Sequence, residues 1–449
     1  MIKNFTELAT DELRKHALLI IEEGLRAANP EVAVINSLSL RDGKVCVGSY
    51  CTEVTGRIHV IGFGKASYRM LLGITKVLSN RIYGGVVITN NPEWVGELGN
   101  VKVILGDHPI PGENTLRATT EVLNYVRGNV SSNDLVVVLI SGGGSALFEK
   151  PYPPVTMGDL SILNDLLLKS GADINEINTV RKHVSMVKGG RLAKILHPAK
   201  VFSLIISDVV GDPIDVIASG PTAPDPTTFS DAKNVLMRKG LWDRVPKSVK
   251  EVIESGLRGE VEETPKPGDA VFNNVRNEIV ASNIISLRAM ARKAEELGYN
   301  TVLLTSMMEG EAREIGRFLA SIVRHIKKYG WVKRVPIAVL LGGETTVTVR
   351  GDGIGGRNQE LALAFAIYVA GLDGVALASI GTDGKDGVSD AAGGLVTGET
   401  VIKAKELGLN PMDYLDRNDS YSFLSKVNGV IITGLTGTNV NDIAVILVR

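Results

Sequence analysis

Apolar residues in this chain gather in short unbroken runs, each closed by small and polar residues. The first five are "RIHVIGF" (57–63), "GGVVITN" (84–90), "VKVILGD" (101–107), "DLVVVLIS" (134–141) and "VFSLIISD" (201–208). Continuous rather than alternating hydrophobicity predicts strands of a parallel sheet with both faces covered. Between these runs the period lengthens to that of a helix, as in "NTLRATTEVLNYVRG" and "TMGDLSILNDLLLKSG". The second opens on a Thr156-x-x-Asp159 capping pattern and closes at Gly171, which are start and stop signals for a helix.

A proline-rich segment, "GPTAPDPTTFSD" (220–231), interrupts the alternation and predicts a domain boundary, dividing the chain into 1–228 and 229–449. Strands and helices then resume through "NEIVASN", "SLRAMARKAEELG", "NTVLLTS", "PIAVLLGGE" (336–344), "VALASIGTD" (375–383), "GVIITG" (429–434) and "DIAVILVR". No periodic repeat emerges. The predicted class is α/β, in two lobes.

Composition narrows the function classes. At 449 residues, two cores are expected rather than one. A 44% hydrophobic content describes a soluble globular protein. The net charge of −1 is interleaved along the chain and lacks the basic stripe that nucleic acid requires. The longest apolar run, "LALAFAIYVA" (361–370), is about half a membrane span, and the N-terminus reads as an amphipathic helix instead of a signal peptide. No nucleic-acid or membrane partner and a cytoplasmic location are therefore expected. Cys46 and Cys51 are too few for a four-ligand zinc site and are predicted to be inert residues of one hairpin. The six histidines form no His-x-x-x-His or His-Glu-x-x-His, which speaks against a transition-metal enzyme. A single glutamine, Gln359, hints at a heat-adapted source.

Candidate chemistry collects where the apolar runs end. "GFGKAS" (62–67), "SGGGSA" (141–146), "SDVVGD" (207–212), "GGETT" (342–346) and "GTDGKDG" (381–387) each join glycine to hydroxyl, acid or lysine. Such loops suit the carboxyl ends of sheet strands, where ligands bind, although any one of them also suits a tight turn. The "SGGGS" loop offers N–H groups unobstructed by Cβ atoms, leading into a short helical turn that Pro151 soon stops. Such a nest suits phosphate or carboxylate oxygens, and it is not a Walker A loop. Asp208 and Asp212 have the spacing of carboxylates that hold Mg²⁺ or of a helix cap. Glu344, Asp383 and Asp386 are similar, the last two also fitting a turn. The stretch "NTVRKHVSMVKGGRLAKIL" predicts one helix with Val180, Val184 and Val187 on an apolar face and Arg181, Ser185 and Lys188 on another. Arg357, Asn358 and Glu360 open the apolar helix that follows a run with six glycines in fifteen residues, 342–356. An arginine there opposes the helix dipole unless an anion sits in front of it.

Taken in order, "IGFGKAS", "SGGGSAL", "SDVVGDPIDVIASGPT", "GGETTVTVRGDGIGGRNQELALA", "GTDGKDGVSDAAGG" and "TGTNVND" carry a resemblance. From about Phe5 onward the chain resembles the glycerate kinase family whose C-terminal part is the MOFRL domain. The resemblance implies a Rossmann-like, doubly wound N-terminal domain, a distinct α/β C-terminal domain and an active site between them. It further implies ATP- and Mg²⁺-dependent phosphorylation of D-glycerate, typically giving 2-phosphoglycerate. The family's invariant lysine falls on Lys65 and its invariant arginine on Arg357.

On this reading Lys65 and Arg357 act on the migrating γ-phosphoryl group. Phosphate oxygens are expected on Ser141, Gly142, Gly143, Gly144 and Ser145, and on Gly342 and Gly343. Asp208 is expected to carry Mg²⁺ with Glu344 or Asp383, and Asp208 or Asp383 to take the hydroxyl proton. Arg181 or Lys188, with Asn358, is expected to hold glycerate. Three alternatives stay open: a hydroxypyruvate reductase, a kinase of another small hydroxy acid, and a non-catalytic sugar-acid or nucleotide sensor. Against the first, "VIGFGKAS" lacks the third glycine of a dinucleotide fingerprint, and "VVITNN" lacks the ribose-binding acid. A homodimer is allowed, and the oligomeric state is left open.

Overall fold

Valine, isoleucine and leucine fill the central strands of both main sheets because those strands are buried on both faces. In this computed structural model, which describes residues 1–330 and 335–449, the chain forms two compact units. One is Pro30–Val280; the other joins Met1–Asn29 to Ala281–Arg449. The boundary predicted at 228 is thus displaced. The proline-rich segment lies inside the first unit and leads into the helix Phe229–Arg238, capped by a Thr228–Asp231 box. Asp225, fully buried in that segment, accepts from Thr227 and Thr264 and pairs with Lys182. A segment tied down by a buried carboxylate is no linker.

The first unit carries β1 (Leu38–Arg41), β2 (Lys44–Val47) and β3 (Tyr50–Thr52) as a small antiparallel sheet. Cys46 and Cys51 pair across β2 and β3 and are joined by a disulfide. The sequence predicts the hairpin but not the bond.

The main sheet of this unit is built from β4 (Ile58–Phe63), β5 (Ile82–Thr89), β6 (Gly96–Leu98), β7 (Val101–Leu105), β8 (Leu135–Ile140), β9 (Lys200–Ile206) and β10 (Val275–Ala281). Their order is β10-β9-β8-β4-β5-β7-β6. The five strands from β9 to β7 are parallel, in the doubly wound order whose direction reverses between β4 and β8.

Four helices, Met157–Lys169, Ile174–Val184, Phe229–Arg238 and Lys247–Leu257, gather around a separate core that includes Leu163, Val180, Val235 and Val249. The first has the predicted Thr156–Asp159 capping box. The single helix expected over "NTVRKHVSMVKGGRLAKIL" breaks instead. It ends at Val184, Ser185 turns extended to bridge Pro151, and a second helix, Arg191–Leu196, begins after Gly189 and Gly190. Those glycines are left-handed, at φ +56° and +80°. A polar face extrapolated through the break therefore does not exist, although all three valines are buried.

The second unit contains β11 (Asn300–Met308), β12 (Ile337–Gly343), β13 (Val375–Gly381), β14 (Gly393–Thr397), β15 (Val430–Ile431) and β16 (Asp442–Val448), ordered β11-β12-β16-β13-β14-β15. This sheet is mixed: β11 and β12 are parallel, while β16 runs antiparallel between β12 and β13. Unbroken apolar runs report burial on two faces but not strand direction. One face packs on the helices Ala312–Tyr329 and Arg357–Tyr368, the other on Glu12–Ala28 and Asn283–Glu296. The apolar run at 361–370 is therefore a core helix, and among the described residues no helix is long and apolar enough to cross a membrane.

The close strand packing gives a direct test. A Cβ on Gly85 in β5 would overlap the carbonyl oxygen of Val60 in β4, whereas one on Gly128, in the helix Glu113–Asn129, meets nothing within 4 Å. Gly85→Ala is expected to destabilise the first unit by about 3 kcal/mol or more. Gly128→Ala should stabilise it by roughly 0.5–1 kcal/mol. Paired thermal melts separate the two outcomes.

Candidate active-site residues

The parallel pairing of β4 with β8 brings their following loops together at the switch point of the first unit. The Lys65 N–H donates to Gly142 O (2.9 Å) and the Ala66 N–H to Ser141 Oγ (3.0 Å). Ser141 is 1% exposed, so its hydroxyl fastens the loops and does not meet a ligand. Gly64, at φ +118°, is needed because a Cβ there would strike Ser141. Lys65 is exposed, and its ammonium forms no ion pair among the described residues.

The glycine loop turns at Gly143, φ +78°, into the short helix Gly144–Leu147, as expected. Gly144 and the next turn spend their N–H groups on Ser141 O and Gly143 O. Among the described residues, the N–H groups of Gly142, Gly143 and Ser145 donate to no protein acceptor. Ser145 Oγ lies 2.8 Å from Ser219 Oγ, which donates to Asn178 Oδ1 at 2.9 Å.

Lys188 stands beneath this loop. It is fully buried and donates to Ser145 O (2.7 Å) and Phe148 O (3.0 Å), with Glu149 Oε2 at 3.2 Å. Three partners occupy the three ammonium protons. Lys188 thus holds the loop's carbonyls and leaves no proton for glycerate. Burial pulls its pKa down, opposed by the Glu149 charge. Glu149 also accepts from Ser185 Oγ (2.6 Å).

Around the loop lie three further groups. A Cβ added to Gly142 would overlap Asp208 Oδ2, and one added to Gly143 would sit 2.9 Å from His108 Nε2 and 3.2 Å from Lys65 Cε. No helix starts at Asp208; the next helical element is a single turn, Ile217–Ser219. The capping alternative for Asp208 therefore falls. Asp212 sits at φ +56° in the turn beyond. His108, which no sequence motif marked, has its pKa lowered by burial and then by the Lys65 charge. Arg181 lines a pocket beside Gly143 and Ser145, with its Nε donating to Asn164 Oδ1 at 2.7 Å.

In the second unit, Gly342 and Gly343 end β12 as paired strand residues, opposite Ile443 and Asp442. A Cβ on Gly342 would overlap Asn283, and one on Gly343 would overlap the Met308 backbone. Their expected role as a phosphate loop is corrected: they are glycines because neighbouring chain leaves no room.

The antiparallel β16 then delivers an unforeseen residue. Its first residue, Asp442, lies opposite Gly343 and Gly381, between the carboxyl ends of β12 and β13. Arg357 grips it with Nε to Oδ2 (2.6 Å) and Nη2 to Oδ1 (3.0 Å), while Nη1 reaches Glu344 Oε1 (2.8 Å). Three of the five guanidinium protons are used. The signal was in "TGTNVND", whose last residue is Asp442.

The helix Arg357–Tyr368 is capped by a buried acid from elsewhere. Asp386 accepts from the N–H groups of Asn358 (3.1 Å) and Gln359 (2.9 Å). Asn358, 2% exposed, spends its side chain on Asp386 and Ser379 and is not open to glycerate. The anions expected in front of this helix are thus the protein's own. Asp383 accepts from the Lys385 N–H (3.0 Å), a turn interaction. Among the described residues, no group of three or more His, Cys, Asp or Glu side chains is placed to hold a metal ion.

Burial pushes the Asp442 carboxyl up to about 6, against the pull of Arg357. Burial also works against the Arg357 charge, but the hydrogen bond and charge of Asp442 outweigh it and raise the guanidinium pKa. Arg357→Ala strands Asp442 and is expected to cost about 3 kcal/mol at neutral pH. A carboxyl with a folded pKa above its unfolded value loses stability as pH rises between the two. The deficit of Arg357→Ala should therefore grow from pH 5 to pH 8, and Asp442→Asn in the same chain should remove that slope. Denaturant titrations across this range check both.

Comparisons with known proteins give the family. A family model described as a domain of unknown function (DUF4147) matches residues 16–254, and the MOFRL family model matches residues 337–442. The chain is 45% identical to a glycerate 2-kinase of Pyrococcus horikoshii, covering 97% of this chain and 98% of that protein. It is 42% identical to a D-glycerate 2-kinase of Thermotoga maritima, covering 98% and 99%. A crystal structure of glycerate kinase from Thermotoga maritima superposes with a TM-score of 0.86, covering 96% of this chain and 98% of that one at 42% identity. The chain belongs to the glycerate kinase family that joins a DUF4147 domain to a MOFRL domain.

Proposed function

We propose that this chain transfers the γ-phosphoryl group of ATP to the 2-hydroxyl of D-glycerate, releasing ADP and 2-phosphoglycerate. The reading follows the names of the relatives. Within the chain, its main support is the unspent N–H groups of Gly142, Gly143 and Ser145, flanked by the exposed Lys65. Phosphoryl transfer needs positioning and charge stabilisation more than covalent chemistry. The N–H groups suit phosphate oxygens, and Lys188 beneath them keeps the loop in one shape. Lys65 supplies a mobile cation for the migrating group. In the second unit, Arg357 has its plane fixed by Asp442 and keeps two N–H groups, a donor pair of the kind that suits an anionic oxygen.

Mg²⁺ requires few protein ligands, because phosphate oxygens and waters complete its octahedron. Asp208, beside Gly142, suits such a site with a single carboxylate. The bound ion would offset the charge of the phosphates. A cytoplasmic location suits ATP as co-substrate. Two similar proteins of Agrobacterium vitis carry the name putative hydroxypyruvate reductase. Against that alternative, β5 ends at Thr89, followed by Asn90 and Asn91, with no acid for a ribose.

Purified protein with ATP, Mg²⁺ and D-glycerate is expected to release ADP, with phosphorus NMR placing the phosphate on carbon 2. NADH should not be consumed with hydroxypyruvate, and steady oxidation would overturn the kinase reading. Lys65→Ala should lower kcat by about 10²-fold or more while keeping the parental melting temperature.

Asp208→Asn preserves shape and removes the charge a hard cation seeks. It is expected to fold normally, lose most turnover and need more Mg²⁺ for what remains. Unchanged Mg²⁺ dependence at a near-parental rate would remove Asp208 from the metal site.

A further inference from the structure

We propose that the pocket beside the glycine loop receives the ribose and base of the phosphoryl donor. This rests on the kinase reading above and adds where the donor's organic part binds. The pocket measures about 660 Å³ and shares Gly143, Ser145 and His108 with the loop, so a ligand whose phosphates lie on the loop reaches it without a break. That volume lies within the roughly 300–1,000 Å³ typical of small-molecule and cofactor sites.

The walls choose between the two substrates. Pro109 and Ile110 form one side, and Ile162, Leu166 and Leu168 of the helix Met157–Lys169 form another. Ile110, Ile162 and Leu168 are 64%, 52% and 64% exposed, leaving apolar surface uncovered at a concave site. Each carbon of glycerate bears oxygen, so it has almost no apolar surface to bury there. A purine nucleoside has a flat apolar face and a polar edge. Arg181 and Asn164, tied to each other through Nε and Oδ1, place their remaining N–H groups in the wall for that edge or for the ribose hydroxyls.

The test uses the full chain with two independent changes. Ser161→Trp narrows the pocket, and the Ile110→Ser/Ile162→Ser pair removes exposed apolar wall without touching the loop. Each is expected to raise the KM for ATP about tenfold. The KM for D-glycerate and the inhibition constant of inorganic tripolyphosphate, which has no nucleoside, should stay within about twofold of parental values, as for an unaltered phosphate loop. The melting temperature should be unchanged. If Ser161→Trp fails to fold, the isoleucine pair carries the test. An unchanged KM for ATP in folded variants overturns the proposal. So does a rise confined to D-glycerate, which would give Arg181 to the acceptor's carboxylate. If the parent makes no ADP from glycerate, the kinase reading fails separately. Calorimetric binding of ATP against tripolyphosphate then decides the pocket: selective loss of ATP binding in the variants supports it, and equal affinities in parent and variants overturn it.

Discussion

The parallel contact between β4 and β8 is the constraint on which the rest of the first unit's site depends. Chain order reverses there, so the loops leaving the two strands rise side by side instead of being covered by one crossover helix. Every later feature is stitched to that contact: the Lys65 N–H on Gly142 O, the Ala66 N–H on Ser141 Oγ, and the turn at Gly143. The short helix after the turn is too brief to hold itself. Lys188 holds it from below, and Lys188 is tolerable there only because Glu149 is buried with it. A nest of N–H groups thus rests on a buried ion pair, and the exposed chemistry inherits its geometry from charges that never meet solvent.

The same economy shapes the adjoining helix. Lys182 and His183 are 3% and 0% exposed, and each points at an acid: Lys182 at Asp225 (3.3 Å) and Asp215 (3.4 Å), His183 at Glu263 (2.8 Å). Basic residues on a helix are most often solvated, whereas Lys182 and His183 are here internal clamps. Glu263 is consequently held down to about 2: burial opposes its charge, but His183 and two backbone N–H groups outweigh burial.

Local patterns made much of this legible. The strand ends, the Thr156 capping box, the glycine loop with its short helix, and Lys65 at a strand-to-helix junction are all visible within a few residues of sequence. What escaped was non-local. The proline-rich segment looked like a linker because nothing nearby reveals that Asp225 is buried under Thr264. Lys188 looked like a ligand contact because helical periodicity was carried past Val184, where the helix ends and Ser185 turns extended. Asp442 was missed because ligand residues were sought only where strands end, and an antiparallel neighbour brings its beginning to the same edge. The disulfide depends on register, since Cys46 and Cys51 must fall opposite one another.

Arg357 shows how such a non-local partner changes the meaning of a local one. A cation at a helix N-terminus is unfavourable by itself, which in sequence argued for a bound anion. The protein supplies two remedies of its own. Asp386 satisfies the helix N–H groups, and Asp442 with Glu344 neutralises the guanidinium. Strain relief therefore requires no ligand, and position alone no longer argues for one. What remains is more specific: a guanidinium locked in orientation by a buried bidentate partner, with two N–H groups to spare. Lys65, by contrast, is an exposed ammonium on a flexible stem. One cation is fixed in direction and the other is not, as Arg and Lys differ in chemistry. Exchanging the two residue types would therefore remove both properties, even though the charge count stayed the same.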